Sequence, residues 1–485
     1  MTSPAPAAAH RASAAPAAGL PPRRRLLALA PRALGVGIWL APVPAGLTPA
    51  AWHLFAIFAA AIASVVLGAL PLLTSALLAG SAAVLSGTLP PAKAFSGFSN
   101  GSVLLVVAAF LVAKSVVLCG LGRRISLLAV SVFGRSTLGL AYSVFLTDAL
   151  IAPAFPSNTA RSGVLYPVVR SLAESCGSRP DDPARHRTGG FLMFSGMASL
   201  AVSSALWFTA TSANPIGASI AQHLGVRIDF GSWFVASCVP ALAAIVTLPL
   251  FLSWIHPPET RATPGAPAAA RRELTAMGKL SRDEKIVAVA FVLMVAGWVV
   301  GPRFRLDGTA VALLGLGILL VTRVLTLADL ESEGGTLVTF FWLAILFALS
   351  AQLNELGFMG YVGERLARRL AGASWPVAFA ALAVLYVLMH YLFVSQSAQV
   401  LALFGVFADV GVRSGVPAPL IVYTLLFASS HFSTITPQGG TQNIIFVGSG
   451  YLTQRELYRL GALTTAYCLV VFLAVGTPWL LLVAR

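Results

Sequence analysis

The chain has 485 residues, 57% of them hydrophobic and 10% charged, with a mean hydropathy of +0.85. Soluble domains carry about 25% charged residues, so this composition excludes a water-soluble enzyme or binding module and fits an all-α polytopic membrane protein; β-barrel alternation is absent. The net charge of +15 falls mostly at the ends of apolar runs, where Lys and Arg fix topology, and the scattered aromatics give no nucleic-acid surface.

Residues 1–26 are rich in Ala, Pro and Arg and contain no acid. That composition suits an organelle transit peptide, and Arg23–Arg25 before an apolar run also suits an uncleaved cytosolic anchor. The expectation is a disordered basic tail with a cytosolic N-terminus, on a multi-pass protein of the bacterial inner membrane.

A spanning helix needs roughly 20 apolar residues. Spans are predicted over about 27–45, 51–69, 71–88 and 103–121, then 189–208 with a continuation to 224, and 232–254. A linker at 255–284 follows, with Pro257, Pro258, Pro264 and Pro267 among Arg261, Arg271, Arg272, Lys279 and Arg282. It reads as a solvated cytosolic segment between membrane halves 27–254 and 285–485. The second half is predicted to span at about 285–301, 307–326, 337–353, 418–447 with a break, and 459–482. Two further apolar stretches, 138–175 and 376–413, are interrupted by polar residues near the middle. Their arms look too short to cross separately, so each is predicted to enter and return as a hairpin, giving eleven spans and two hairpins. Cys119, Cys176, Cys238 and Cys468 lie far apart without CxxC spacing and read as packing thiols.

The halves look related. "CGLG" at 119–122 and "LGFMG" at 356–360 each end a span. Gly120 to Gly357 is 237 residues, Ser157 to Ser395 is 238, and Asn214 to Asn443 is 229. Five crossings between the glycines make the second copy inverted, and inverted repeats with broken helices place a transport site where the repeats meet.

The first hairpin's tip lies in "APAFPSNTARSGVLYP" at 152–167. Pro156 removes an amide and stops one arm, while Ser157 and Asn158 can cap a second arm from Thr159. Free N–H groups there would favour an anion, and the first arm's carbonyls would favour a small cation. A loop in water is the competing reading. Arg161 either meets a substrate carboxylate bidentately or pairs with Asp148. The breaks "TATSANP" at 209–215 and "TITPQGGTQN" at 434–443 read as unwound segments facing a substrate, or as kinks that serve packing. Lys114 inside its span reads as a snorkelling side chain, and His390 and His431 as buried, hydrogen-bonded residues. HExxH spacing, a Walker loop and a GxSxG elbow are absent from the sequence, so no metal or catalytic nucleophile is expected.

The tip sequence, "LTPAAWHLFAIF", "QLNELG" and "IIFVGSGYLTQREL" resemble the divalent anion:sodium symporter family, in the branch of citrate/succinate antiporters and plastid 2-oxoglutarate/malate translocators. The resemblance covers residue 35 to the end. It implies two re-entrant hairpins facing two unwound helices, usually in a homodimer that moves substrate by an elevator motion. It implies substrate contacts at Ser157, Asn158, Thr159, Thr211, Asn214, Ser395, Gln396, Ser397, Thr441 and Asn443, with Thr209 and Gly440 in the unwound segments; Arg161 joins the candidates from its own spacing alone. A coupling sodium ion would use Ser157, Asn158, Ala210, Ser395 and Gly439. The second tip departs from the pattern: Gln396 replaces the Asn of sodium-coupled members, and Gln399 stands where the antiporter branch has His. The expected function is exchange of small di- or tricarboxylates, without a cofactor. Sodium-coupled symport, cation/proton antiport through Asp148 and the histidines, and an intramembrane hydrolase using Ser433 and His431 are the alternatives.

Overall fold

Helices make up the chain, with no strand among the described residues. The computed structural model describes residues 22–484 apart from 181, 182, 187, 370, 371, 373 and 394. Residues 1–21 of the expected tail lie outside these, and a helix already begins at Pro22 and runs to Leu40.

Nine described helices are long and apolar enough to cross a membrane, joined by shorter apolar helices at Leu29–Leu40, Leu72–Leu85 and Gly308–Val321. Two of the nine, Thr137–Ala154 and Trp375–Leu392, are the first arms of the hairpins, and each has 18 residues. The expectation that the arms are too short to cross therefore fails on length for these first arms. They are hairpins because their tips are buried in protein: Phe155 and Phe393 are both buried beside the turns. The loop-in-water alternative falls with that observation.

The repeat is visible element by element. Gly101–Cys119, the amphipathic Leu121–Phe133, the first hairpin (137–175), a broken helix (189–221) and Phe230–Ile255 form one copy. Gly334–Glu355, Phe358–Arg369, the second hairpin (375–413), a broken helix (418–447) and Gln454–Val483 form the other. Each span turns into its amphipathic helix through a left-handed glycine, Gly120 at φ 79° and Gly357 at φ 82°; a side chain is disfavoured there. Five crossings separate the two turns, so the copies are inverted.

Gly189–Leu206 is the central helix, with all 18 residues buried. It packs against both arms of the first hairpin, Phe230–Ile255 and Ala418–His431. Ser195, Ser199, Ser203 and Ser204 let neighbouring backbones approach closely and supply hydroxyls where lipid never reaches.

The linker is less solvated than its prolines and arginines suggest. Ala266–Met277 is a helix started by Pro267, packed on Leu121–Phe133 with Ala266 and Ala270 buried. The Thr137 N–H donates to the Arg261 carbonyl and the Thr263 N–H to the Arg135 carbonyl (both 3.0 Å). Arg123 meets Glu273 at 2.8 Å, and Arg124 meets Glu284 at 2.6 Å. The basic residues after Gly120 and those of the linker thus share one face.

Gly461 presses on the second break, where an added Cβ would lie 2.1 Å from the Thr434 carbonyl oxygen. Gly461→Ala must displace backbone, and overpacking of this kind costs about 1–3 kcal/mol. The expected result is a lower thermal midpoint in detergent together with slower uptake. A midpoint equal to wild type would mean the break is free to shift.

Candidate functional site

Each tip is a short 3-10 turn, an extended residue and a serine cap. In the first, Ala152–Ala154 tightens the arm's end, and Ser157 (φ −141°, ψ 120°) accepts from the Ala160 N–H at 3.3 Å, opening Asn158–Ser175. In the second, Ser395 (φ −142°, ψ 125°) accepts from the Ala398 N–H at 3.3 Å, opening Gln396–Gln399. That arm continues through a π-helical turn, Val400–Phe404, into Gly405–Arg413; such turns are frequent at functional sites.

The breaks repeat the same device. A helix stopped inside protein leaves carbonyls without partners, and an asparagine amide answers them in each half. Asn214 Nδ2 donates to the carbonyls of Ser204 (2.9 Å) and Trp207 (3.1 Å). Asn443 Nδ2 donates to those of Ser433 (2.7 Å) and Thr436 (3.0 Å), at the same sequence separations of ten and seven. Both Oδ1 atoms are buried without a partner.

Each tip touches the break of the opposite half. The hydroxyls of Thr159 and Thr441 are hydrogen-bonded, and Ser397 and Ser212 hydroxyls meet at 2.8 Å. The tips also join one another, Asn158 Nδ2 donating to Gln396 Oε1 at 3.1 Å. Within the first half, the Ser212 N–H donates to the Pro156 carbonyl (3.0 Å) and Thr209 Oγ1 to that of Pro153 (2.8 Å).

These four elements form one wall of a cavity of about 700 Å³, within the range of small-molecule sites. The facing wall includes Val65, Leu72, Phe110, Thr336 and Trp342. Ser157, Asn158, Thr159, Thr211, Ser395, Gln396, Ser397 and Thr441 all line the cavity, as does Gly440. Its polar surface is hydroxyls, side-chain amides, backbone and one carboxylate, that of Glu333, and the donors among these suit a hydrophilic ligand with several acceptor oxygens.

Three expected substrate contacts do not reach it. Asn214 and Asn443 are fully buried behind the breaks, spent on helix carbonyls. Arg161 is fully buried behind Asn158, where it contacts Asp148 (3.1 Å), Ser203 Oγ (2.6 Å), Ser204 Oγ (2.5 Å) and Asn158 Oδ1. Of its two open readings, the pair with Asp148 is the one the geometry contains. Among the expected cation ligands, Ser157, Asn158 and Ser395 line the cavity, whereas Ala210 and Gly439 lie outside its lining.

The second half solves the same positions without charge. Gln399 and Tyr386 stand 238 residues after Arg161 and Asp148. Gln399 Nε2 donates to the Tyr386 carbonyl at 2.8 Å, and its Oε1 meets His390 Nδ1 at 2.7 Å. His390 Nε2 lies 2.6 Å from the Gly439 carbonyl oxygen, so this histidine ties the second hairpin to the second break. His431, expected to be hydrogen-bonded as well, instead has Nδ1 buried without a partner and its ring tilted beside Phe472.

Sequence reasoning passed over Ser212, Gln442 and Glu333, all on the cavity wall. Ser212 and Gln442 lie inside the breaks already singled out, so their position was the available signal. Glu333 has no spacing relation to the tips. Lys114, read as a snorkelling residue, pairs with it at 2.6 Å.

No cluster of three or more His, Cys, Asp or Glu side chains able to hold a metal occurs among the described residues. Ser433 Oγ donates to the Ser430 carbonyl at 2.9 Å, so it forms no nucleophile–base pair with His431.

Comparison with known proteins agrees with this architecture. The family model described as the sodium:sulfate symporter transmembrane region matches residues 24–484. A Bacillus subtilis (strain 168) protein, YflS, named as a candidate malate transporter, is 37% identical over 449 residues, covering 92% of this chain and 94% of its own. Dicarboxylate transporter 2, chloroplastic, of Spinacia oleracea is 36% identical, over 90% of this chain and 78% of its own. The inner membrane protein YbhI of Escherichia coli (strain K12) is 31% identical, over 90% and 93%. Among solved structures, the Alcanivorax borkumensis YdaH transporter aligns with a TM-score of 0.50 at 15% identity, covering 80% of this chain and 85% of that one; the likeness is one of fold.

Proposed function

Because this chain belongs to the divalent anion:sodium symporter family of membrane transporters, we propose that it carries small dicarboxylates across the bacterial inner membrane by anion exchange. The observation that carries the reading is the cavity where both tips and both breaks converge, its tip-and-break wall lined by hydroxyls and amides. Two carboxylate groups need many short donors, and the caps, threonines and backbone N–H groups of the tips provide them. The dicarboxylate and malate transporters among its relatives support that substrate class. A homodimer is the assembly we propose, with the N-terminus and the basic linker face in the cytosol.

Exchange rather than sodium symport rests on where the tip amide oxygens point. Gln396 Oε1 accepts from Asn158, and its Nε2 donates to the carbonyls of Ser429 (2.8 Å) and Ser430 (3.1 Å). Asn158 Oδ1 accepts from Arg161 and from Ser204 Oγ. Both lone pairs of Asn158 Oδ1 are thus engaged and one of Gln396 Oε1, which leaves the two tip amides a single acceptor site for a cation shell. The unpartnered Oδ1 atoms of Asn214 and Asn443, together with the family's description, favour the second reading, sodium-coupled symport. Small cations require oxygen ligands of that kind.

Preloaded proteoliposomes separate the two. Exchange predicts that uptake of labelled succinate or malate depends on an internal dicarboxylate and ignores the sodium gradient. Uptake into empty liposomes driven by inward sodium would establish symport instead.

A further inference from the structure

Among the described residues, Glu333 is the one ionisable side chain lining the cavity. It immediately precedes Gly334–Glu355, and Lys114 lies on Gly101–Cys119, the corresponding helix of the other half. Lys114 Nζ and Glu333 Oε1 are 2.6 Å apart, with side chains 25% and 31% exposed. Lys114 also acts on Asp329, whose carboxyl is held below its ordinary range first by its hydrogen bonds to Thr326 and, more weakly, by this lysine.

A carboxylate on the wall of an anion site repels the ligand unless something cancels it. A part-exposed ion pair adds little to stability, and neither residue supports the tips, so the pair is poorly explained as a fold device. Its placement has a direct electrostatic consequence. We propose that Lys114 and Glu333 form a charge filter in which Lys114, paired with Glu333 from behind the cavity lining, cancels the one carboxylate that a doubly charged ligand would otherwise meet on the cavity wall. This rests on the dicarboxylate reading above.

The filter makes Lys114 a specificity-determining residue. Coulomb energy scales with the ligand's charge, so a change of about tenfold in binding of a dianion is accompanied by about threefold for a monoanion at the same position. The test is the KM for uptake of succinate and of monomethyl succinate at pH 7.5 by wild type, Lys114→Met, Glu333→Gln and the double variant, at matched reconstituted protein.

Lys114→Met should raise the succinate KM about tenfold and the monoester KM about threefold. Glu333→Gln should move both the other way, and the double variant should return near wild type. Raised ionic strength should shrink every difference. Wild-type uptake with variants that shift both substrates alike, or without the sign reversal, overturns the filter alone. A Lys114→Met defect that Glu333→Gln does not rescue also overturns it. Wild-type protein that takes up neither compound overturns the dicarboxylate reading and the filter with it.

Discussion

Asn158→Ala is expected to abolish dicarboxylate uptake while the protein still inserts and folds. The Asn158 amide is the hub of the site: it donates to Gln396 across the pseudo-two-fold and accepts from Arg161 and Ser204. Its removal unlinks the tips and takes a polar group from the cavity wall. Hydrogen bonds involving charged groups are worth about 1.5–3 kcal/mol each, so losing these contacts should slow uptake on the order of a hundredfold. The thermal midpoint should also fall, since buried donors of Arg161 and Ser204 lose an acceptor. Uptake within a factor of about three of wild type would remove the first tip from the transport site, since that is far less than one such bond is worth.

The second large effect concerns Arg161 and Asp148. Removing one member of a buried ion pair costs about 3–5 kcal/mol because the other charge is left uncompensated. Arg161→Met should therefore sharply reduce the folded, monodisperse fraction in detergent. Combining it with Asp148→Leu should recover much of that yield, because a buried pair replaced by apolar groups is often neutral. Transport should not recover, since Asn158 has lost the charged one of the two donors that orient its carbonyl. Arg161→Lys tests the same point: a positioning role predicts lower yield with an unchanged KM in the protein that folds, and a raised KM at normal yield would place the guanidinium on substrate. A double variant no better folded than Arg161→Met would mean the pair does not hold this region together.

Arg161 shows where the sequence stopped being legible. Three residues past a tip cap, it could reach forward into the cavity or back to Asp148, and both fit the spacing. Packing decides. Ser203 and Ser204 on the central helix present hydroxyls at 2.6 and 2.5 Å that hold the guanidinium behind the tip. The asparagines of the breaks illustrate the same limit. Their positions 229 apart were readable as a repeat, but their use as internal caps for stopped helices depends on where Trp207 and Thr436 turn.

The sequence alone determined the membrane class, the two interrupted stretches and the inverted duplication, and seven of the eleven expected spans coincide with described helices long and apolar enough to cross. Each is written in local terms: apolar runs of bilayer length, Pro and Ser-Asn-Thr interruptions, and recurrence at nearly one offset. The tertiary structure decided what faces the cavity. The first arm of each hairpin is long enough to cross, and only burial of the tips shows that the chain returns. The linker's helix is ordered by contacts with Leu121–Phe133 that no composition reveals. Glu333 joins the site from 219 residues beyond Lys114, and Gln396 meets Asn158 across 238. Hydropathy records whether a residue prefers lipid or protein; which polar partner it finds is fixed by the approach of helices distant in the chain.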